Sequence, residues 1–130
     1  MPNDSVSIGP LLDALFDQGA TDLLLSVGAP PSLRIDGRLT PATSRPLTAL
    51  QTEELVQQLV ADGARHTLEE QGAVDFSFQW TERGRVRGNA FRQRSTYAIA
   101  LRAIPNAIPS FGDLRLPAVV ERLVELPRGL

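Results

Sequence analysis

Five arginines, Arg83, Arg85, Arg87, Arg92 and Arg94, fall within the single stretch RGRVRGNAFRQR, and a sixth, Arg102, follows on the next apolar run, YAIALRAI. Guanidinium groups are permanently charged, planar donors that grip phosphate or carboxylate oxygens two at a time. Clustering of this kind is first read as a nucleic-acid footprint. The rest of the chain argues against that reading: the formal net charge is -2, and Tyr97 is the single tyrosine available for base stacking beside the basic strand. All 13 basic residues are arginine, a composition bias that makes their placement more informative than their identity.

Placement is informative in the hairpin. Strand alternation puts Arg85, Arg87, Asn89 and Phe91 on one face and Val86, Gly88 and Ala90 on the other. On the following strand Arg102 shares a face with Ala98 and Ala100, opposite Tyr97, Ile99 and Leu101. A lone cation among small side chains either runs out to solvent or reaches an anion. Spacing by itself leaves both readings open, the bland one being a solvated charged face with local Asp and Glu partners.

Other chemistry is scarce. Lysine is absent, so a Gly-x-x-x-x-Gly-Lys-Ser/Thr phosphate loop cannot exist within this chain. His66 is the only histidine and lies on a polar helix, which reads as a surface residue rather than a metal ligand or catalytic base. Asp36 and Asp75 form no evident carboxylate pair. No metal site is expected, and the chain alone does not read as a complete enzyme.

Elements that must hold the arginines are legible in the periodicity. Ile8, Leu11, Leu12, Leu15 and Phe16 predict a first helix, with Ser5 or Ser7 as cap and Gly19 as its end. TDLLLSVG reads as a buried strand, and SLRIDGRLT as a hairpin turning at Asp-Gly. Thr48 and Gln51 predict a capping box for a second helix, and ARHTLEEQG a shorter third one. AVDFSFQW, RVRGNAFRQ and YAIALRAI then form an antiparallel meander that Pro105 and Pro109 stop. A final helix is predicted over about 117–126. The order is α+β, an antiparallel sheet with helices on one face.

With 130 residues and 42% apolar composition the chain is long and apolar enough for one core. The absence of cysteine excludes disulfides and suits a reducing compartment. No segment approaches the length of a membrane span, and the first residues lack the pattern of a signal peptide.

GAPPSLRIDGRL, VDFSF, RVRGNAFRQ, LRAIP and LRLPAVVERLVELPRGL occur in order. Together they resemble the N-terminal domain of the type IV pilus retraction ATPases of the PilT and PilU type, in the secretion-ATPase superfamily. The resemblance runs from about residue 20 to 130. It implies a PAS-like domain over 20–126, preceded by a helix and lead over 1–19 and followed at 127–130 by the start of a linker to a RecA-like ATPase domain. It further implies a cytoplasmic homo-hexamer peripheral to the inner membrane, which works on a platform protein of the pilus, neither inserts in the membrane nor binds nucleic acid, and moves to drive retraction. ATP with Mg would bind mainly to the ATPase domain. Arg87, in RVRGNAF, and Arg102, in LRAIP, would reach its phosphates as arginine fingers, leaving this chain inactive alone. Arg83, Arg85, Arg92 and Arg94 are then expected to be solvated or at subunit contacts. The family commonly has His where this chain has Leu24, so retraction ATPase, accessory paralogue and related motor all stay open. The rival class is a free-standing PAS-like interaction or ligand-sensing module.

Overall fold

The computed structural model describes residues 6–105. Three helices, α1 (Ile8–Asp17), α2 (Ala49–Leu59) and α3 (Asp62–Gln71), accompany six strands. These are β1 (Asp22–Leu25), β2 (Ser32–Ile35), β3 (Arg38–Pro41), β4 (Ala73–Trp80), β5 (Gly84–Gln93) and β6 (Thr96–Pro105). The strands form one antiparallel sheet in the order β3-β2-β1-β6-β5-β4. The α+β class expected from the sequence is the class observed. The helix expected over 117–126 lies outside the described residues.

Period-two alternation divides the sheet into two faces. Register aligns Leu33, Leu23, Leu101, Gly88 and Phe76 across β2, β1, β6, β5 and β4. Ile99, Ala90 and Val86 lie on the same side. These residues meet Leu11, Leu12 and Leu15 of α1, Leu55 and Val56 of α2, and Leu68 of α3 in one core. Each fully buried leucine contributes on the order of 1.5–3 kcal/mol through removal of apolar surface from water. The first helix is thus part of the same core as the sheet. Among the described residues no helix is long and apolar enough to cross a membrane.

Local chemistry fixes the connections. Asp36 and Gly37 both adopt positive φ in the two-residue turn between β2 and β3, the mirror-image turn that matches strand twist. The Thr48–Gln51 capping box forms in both directions, at 2.9 and 3.2 Å. The third helix begins at Asp62, two residues before the start read from the sequence, and ends at Gly72 in the left-handed region.

The first helix is capped in a way its own residues did not foretell. Ser7 occupies the N-cap position but makes no side-chain cap. Instead Gln58 of α2 accepts from the Ile8 amide at 2.8 Å and donates to the Val6 carbonyl at 2.8 Å. Gln58→Ala is expected to cost about 1 kcal/mol, the worth of a lost cap, whereas Ser7→Ala stays within about 0.5 kcal/mol. Urea denaturation of the two variants checks the order.

Candidate functional site

The sheet face away from the helices carries the polar residues. One row across it reads Leu39, Arg34, Asp22, Arg102, Arg87 and Ser77, each the register partner of the next. The adjacent row reads Ser32, Leu24, Ala100, Asn89 and Asp75. The same alternation that buries Leu23 and Leu101 therefore turns Asp22, Arg102 and Arg87 outward. Leu24 is on this outer face opposite Ala100.

Arg87 and Arg102 are direct cross-strand partners. Like charges placed opposite one another destabilise a sheet unless something anionic lies between or above them. Asp22 lies on the other side of Arg102 from Arg87 and, of the two, neutralises Arg102 alone. Its Oδ1 accepts from Arg102 Nε at 3.0 Å, and its Oδ2 accepts from the Thr21 hydroxyl at 2.7 Å and lies 3.5 Å from Arg34 Nε. The Asp22 side chain is 13% exposed and that of Arg102 69%, so the carboxylate is a sheltered anchor under an outward guanidinium. Among the described residues no hydrogen bond or ion pair engages the Arg87 side chain.

An open depression of about 310 Å³ lies here, with Asp22, Asp75, Arg87, Asn89, Ala100 and Arg102 on its lining. Ala100 leaves room at its floor, and Asn89 donates to Asp75 at 2.7 Å on its far side. With Nε committed to Asp22, Arg102 keeps both terminal nitrogens for a ligand, and Arg87 keeps its whole fork. The arrangement suits a multiply charged oxyanion such as a phosphate chain. Among the described residues no cluster of potential metal ligands occurs.

Burial pushes the Asp22 carboxyl up, but the hydrogen bonds from Thr21 and Arg102 and the charges of Arg102 and Arg34 outweigh it, leaving its pKa below the ordinary aspartate value. A depressed folded-state pKa adds stability that is fully present above the unfolded value, roughly pH 4, and is lost as pH falls through the folded value. The stability gap between the chain and Asp22→Asn is therefore expected to be constant from neutral pH to about pH 5 and to shrink in stronger acid. Denaturant midpoints measured across that range check the sign.

The remaining hairpin arginines do not join this site. Arg83, expected to be solvated or at a subunit contact, is instead an internal brace. It pairs with Asp17, lies 3.8 Å from Asp13 and sits 5.8 Å over the Phe16 ring, fastening the β4–β5 turn to α1. Arg92 is exposed and donates to the Glu69 carbonyl at 2.7 Å. Arg85 is exposed and donates to the Ser77 hydroxyl at 3.1 Å, and Arg94 is exposed in a turn with positive φ. His66 is exposed beside Glu70, as its polar helix predicted. Asp22 was missed by sequence reasoning, although a carboxylate opening an apolar strand, TDLLL, was the available signal.

No protein-family model matches the chain. It is 34% identical over 120 residues to the type IV pilus ATPase PilU of Pseudomonas aeruginosa, covering 92% of this chain and 31% of that protein. It is 35% identical over 125 residues to the type IV pilus retraction ATPase PilT of the same organism, covering 96% of this chain and 36% of that one. A crystal structure of the pilus retraction motor PilT with bound ADP superposes with a TM-score of 0.73 at 36% identity, over 93% of this chain and 36% of that one. The Legionella pneumophila ATPase DotB shares the fold at 19% identity, with a TM-score of 0.71 over 95% of this chain and 37% of that one. The chain thus spans about a third of the length of the relatives it matches. Its six-stranded sheet, with helices on one face, is the fold of the N-terminal domain of the PilT ATPase. The chain corresponds to the N-terminal region of type IV pilus ATPases of the PilT and PilU type.

Proposed function

We propose that this chain acts as the N-terminal domain of a hexameric type IV pilus retraction ATPase, in which Arg87 and Arg102 contact the phosphates of ATP held at the interface with a RecA-like domain. The observation that carries this reading is the cross-strand pairing of the two arginines on the open sheet face, with one carboxylate beside Arg102 on the side away from Arg87, whose own side chain is unengaged among the described residues. Among the described residues that pair has one positive charge more than its surroundings neutralise, on a face open enough for a second domain to cover. Homology to PilU and PilT, and the ADP bound in the PilT structure, support a nucleotide phosphate as the missing anion.

In this reading the ATPase domain supplies the phosphate loop and Mg, and this domain supplies fixed positive charge that meets the charge developing on the transferred phosphoryl group. Movement of the domain against its neighbours couples turnover to retraction through a platform protein of the inner membrane, and the ring works from the cytoplasmic side. The test joins this chain to its ATPase domain and measures ATP hydrolysis with alanine at position 87 or 102. Turnover at the unsubstituted rate in either variant would refute the assignment. A free-standing sensor has less support, because the depression beside the arginines is open rather than enclosed.

A further inference from the structure

We propose that Asp22 is a positioning residue for Arg102, which it holds in the orientation that lets Arg102 and Arg87 grip one oxyanion together. This rests on the anion-binding reading above and adds a role for a residue that makes no phosphate contact itself. Three observations carry it.

The first is register. Asp22 is the direct cross-strand partner of Arg102, which is in turn that of Arg87, so the three lie in line across β1, β6 and β5. The second is fixation. The Asp22 carboxylate is held from two sides, by Arg102 Nε on Oδ1 and by the Thr21 hydroxyl on Oδ2, with Arg34 Nε beside Oδ2. Thr21 is itself tied down, its amide donating to the Arg34 carbonyl at 2.9 Å and its carbonyl accepting from the Ala103 amide at 3.0 Å. The third is the choice of atom. Asp22 takes the Nε hydrogen of Arg102, the donor nearest the stem, and this leaves the two terminal nitrogens available. A long side chain that is 69% exposed would otherwise sample many rotamers, and each would have to be given up on binding.

A competing view makes Asp22 a resident anion that merely neutralises Arg102 and repels any incoming phosphate. The two views predict opposite signs, because removing a negative charge beside an anion site should strengthen binding by simple Coulomb attraction.

The experiment titrates inorganic pyrophosphate into the 130-residue chain. Arginine Nε–H and backbone amide resonances are followed by NMR for the unsubstituted chain, Arg87→Ala, Arg102→Ala, Asp22→Asn and Asp22→Ala. The expected result is weak binding centred on Arg87 and Arg102 that either arginine substitution removes. Asp22→Ala should weaken it by about 2- to 10-fold, the cost of ordering one freed long side chain, with Asp22→Asn falling between. The Arg102 Nε–H resonance should also lose its separate position before any ligand is added, a change that a general loss of stability would not confine to one side chain. Asp22→Asn preserves shape and keeps the test decisive if the alanine variant fails to fold. Binding that both Asp22 variants leave equal or strengthen overturns the positioning role alone. Absence of pyrophosphate-dependent shifts at Arg87 and Arg102 in the unsubstituted chain overturns the anion reading, and this proposal with it.

Discussion

Alanine at Arg87 or Arg102, in the chain joined to its ATPase domain, is expected to lower ATP turnover by ~10³–10⁵-fold, the range that arginine fingers contribute to phosphoryl transfer. The domain should fold as before. Arg87 is exposed, and among the described residues its side chain has no hydrogen-bond or ion-pair partner, so its loss leaves none stranded. Arg102 is also exposed, and its removal costs one bond to Asp22, which retains Thr21 and Arg34. Removing either member of a facing like-charge pair relieves repulsion, so Arg87→Ala should leave the melting temperature unchanged or slightly raised. Loss of turnover without loss of stability separates a functional arginine from a structural one. Arg83→Ala is the matched control. It lies in the same hairpin but braces α1, so it should reduce stability and spare turnover. Lysine at position 87 should recover little, since a point charge cannot reproduce two-toothed contact with phosphate oxygens.

Gly88→Ala is expected to destabilise the domain by about 1–3 kcal/mol, the usual cost of overfilling a packed core. A Cβ at position 88 would lie 2.4 and 2.6 Å from two ring atoms of Phe76 and 2.8 Å from a Leu101 methyl. These residues are the register partners of Gly88 on its two neighbouring strands, and the Phe76 ring lies across the space that a side chain would need. Glycine in a strand interior ordinarily weakens it, and alanine would be favoured on conformational entropy. Here the steric term wins, because one of the crowding groups is a rigid ring stacked on its neighbour, Phe78, with centroids 6.3 Å apart. Thermal denaturation should show a fall in Tm of roughly 5–15 °C. Phe76→Leu in the same chain should restore part of it by opening room above position 88. A Gly88→Ala variant as stable as the unsubstituted chain would show that Phe76 can swing aside at little cost.

The predictions draw on different kinds of information in the chain. Helix and strand identities were readable because apolar residues at helical or alternating spacing must share a buried face. The Asp36–Gly37 turn and the Thr48 capping box were readable because single residues satisfy particular backbone groups. That Arg85, Arg87 and Asn89 share a face followed from alternation alone. By contrast, Ser7 was a plausible cap that makes no cap bond, since Gln58 on another helix satisfies that terminus first. Arg83 looked free because its partners, Asp13 and Asp17, lie on an element far back in sequence.

The amino-acid sequence by itself determined the α+β class, which residues of each strand share a face, the Asp36–Gly37 turn and the Thr48 capping box, and it carried the family resemblance. Its ordered motifs also marked out Arg87 and Arg102, through resemblance. Only the tertiary structure decided that β1 lies against β6 in the middle of the sheet, joining the β1–β3 strands to the β4–β6 meander. That pairing brings Asp22 to Arg102 across a separation of 80 residues. No local pattern encodes such a contact, because loop-closure entropy is overcome by the whole core assembling rather than by any one pair. The row Arg34, Asp22, Arg102 and Arg87 exists because burying Leu33, Leu23 and Leu101 on the inner face leaves the alternate positions aligned on the outer one.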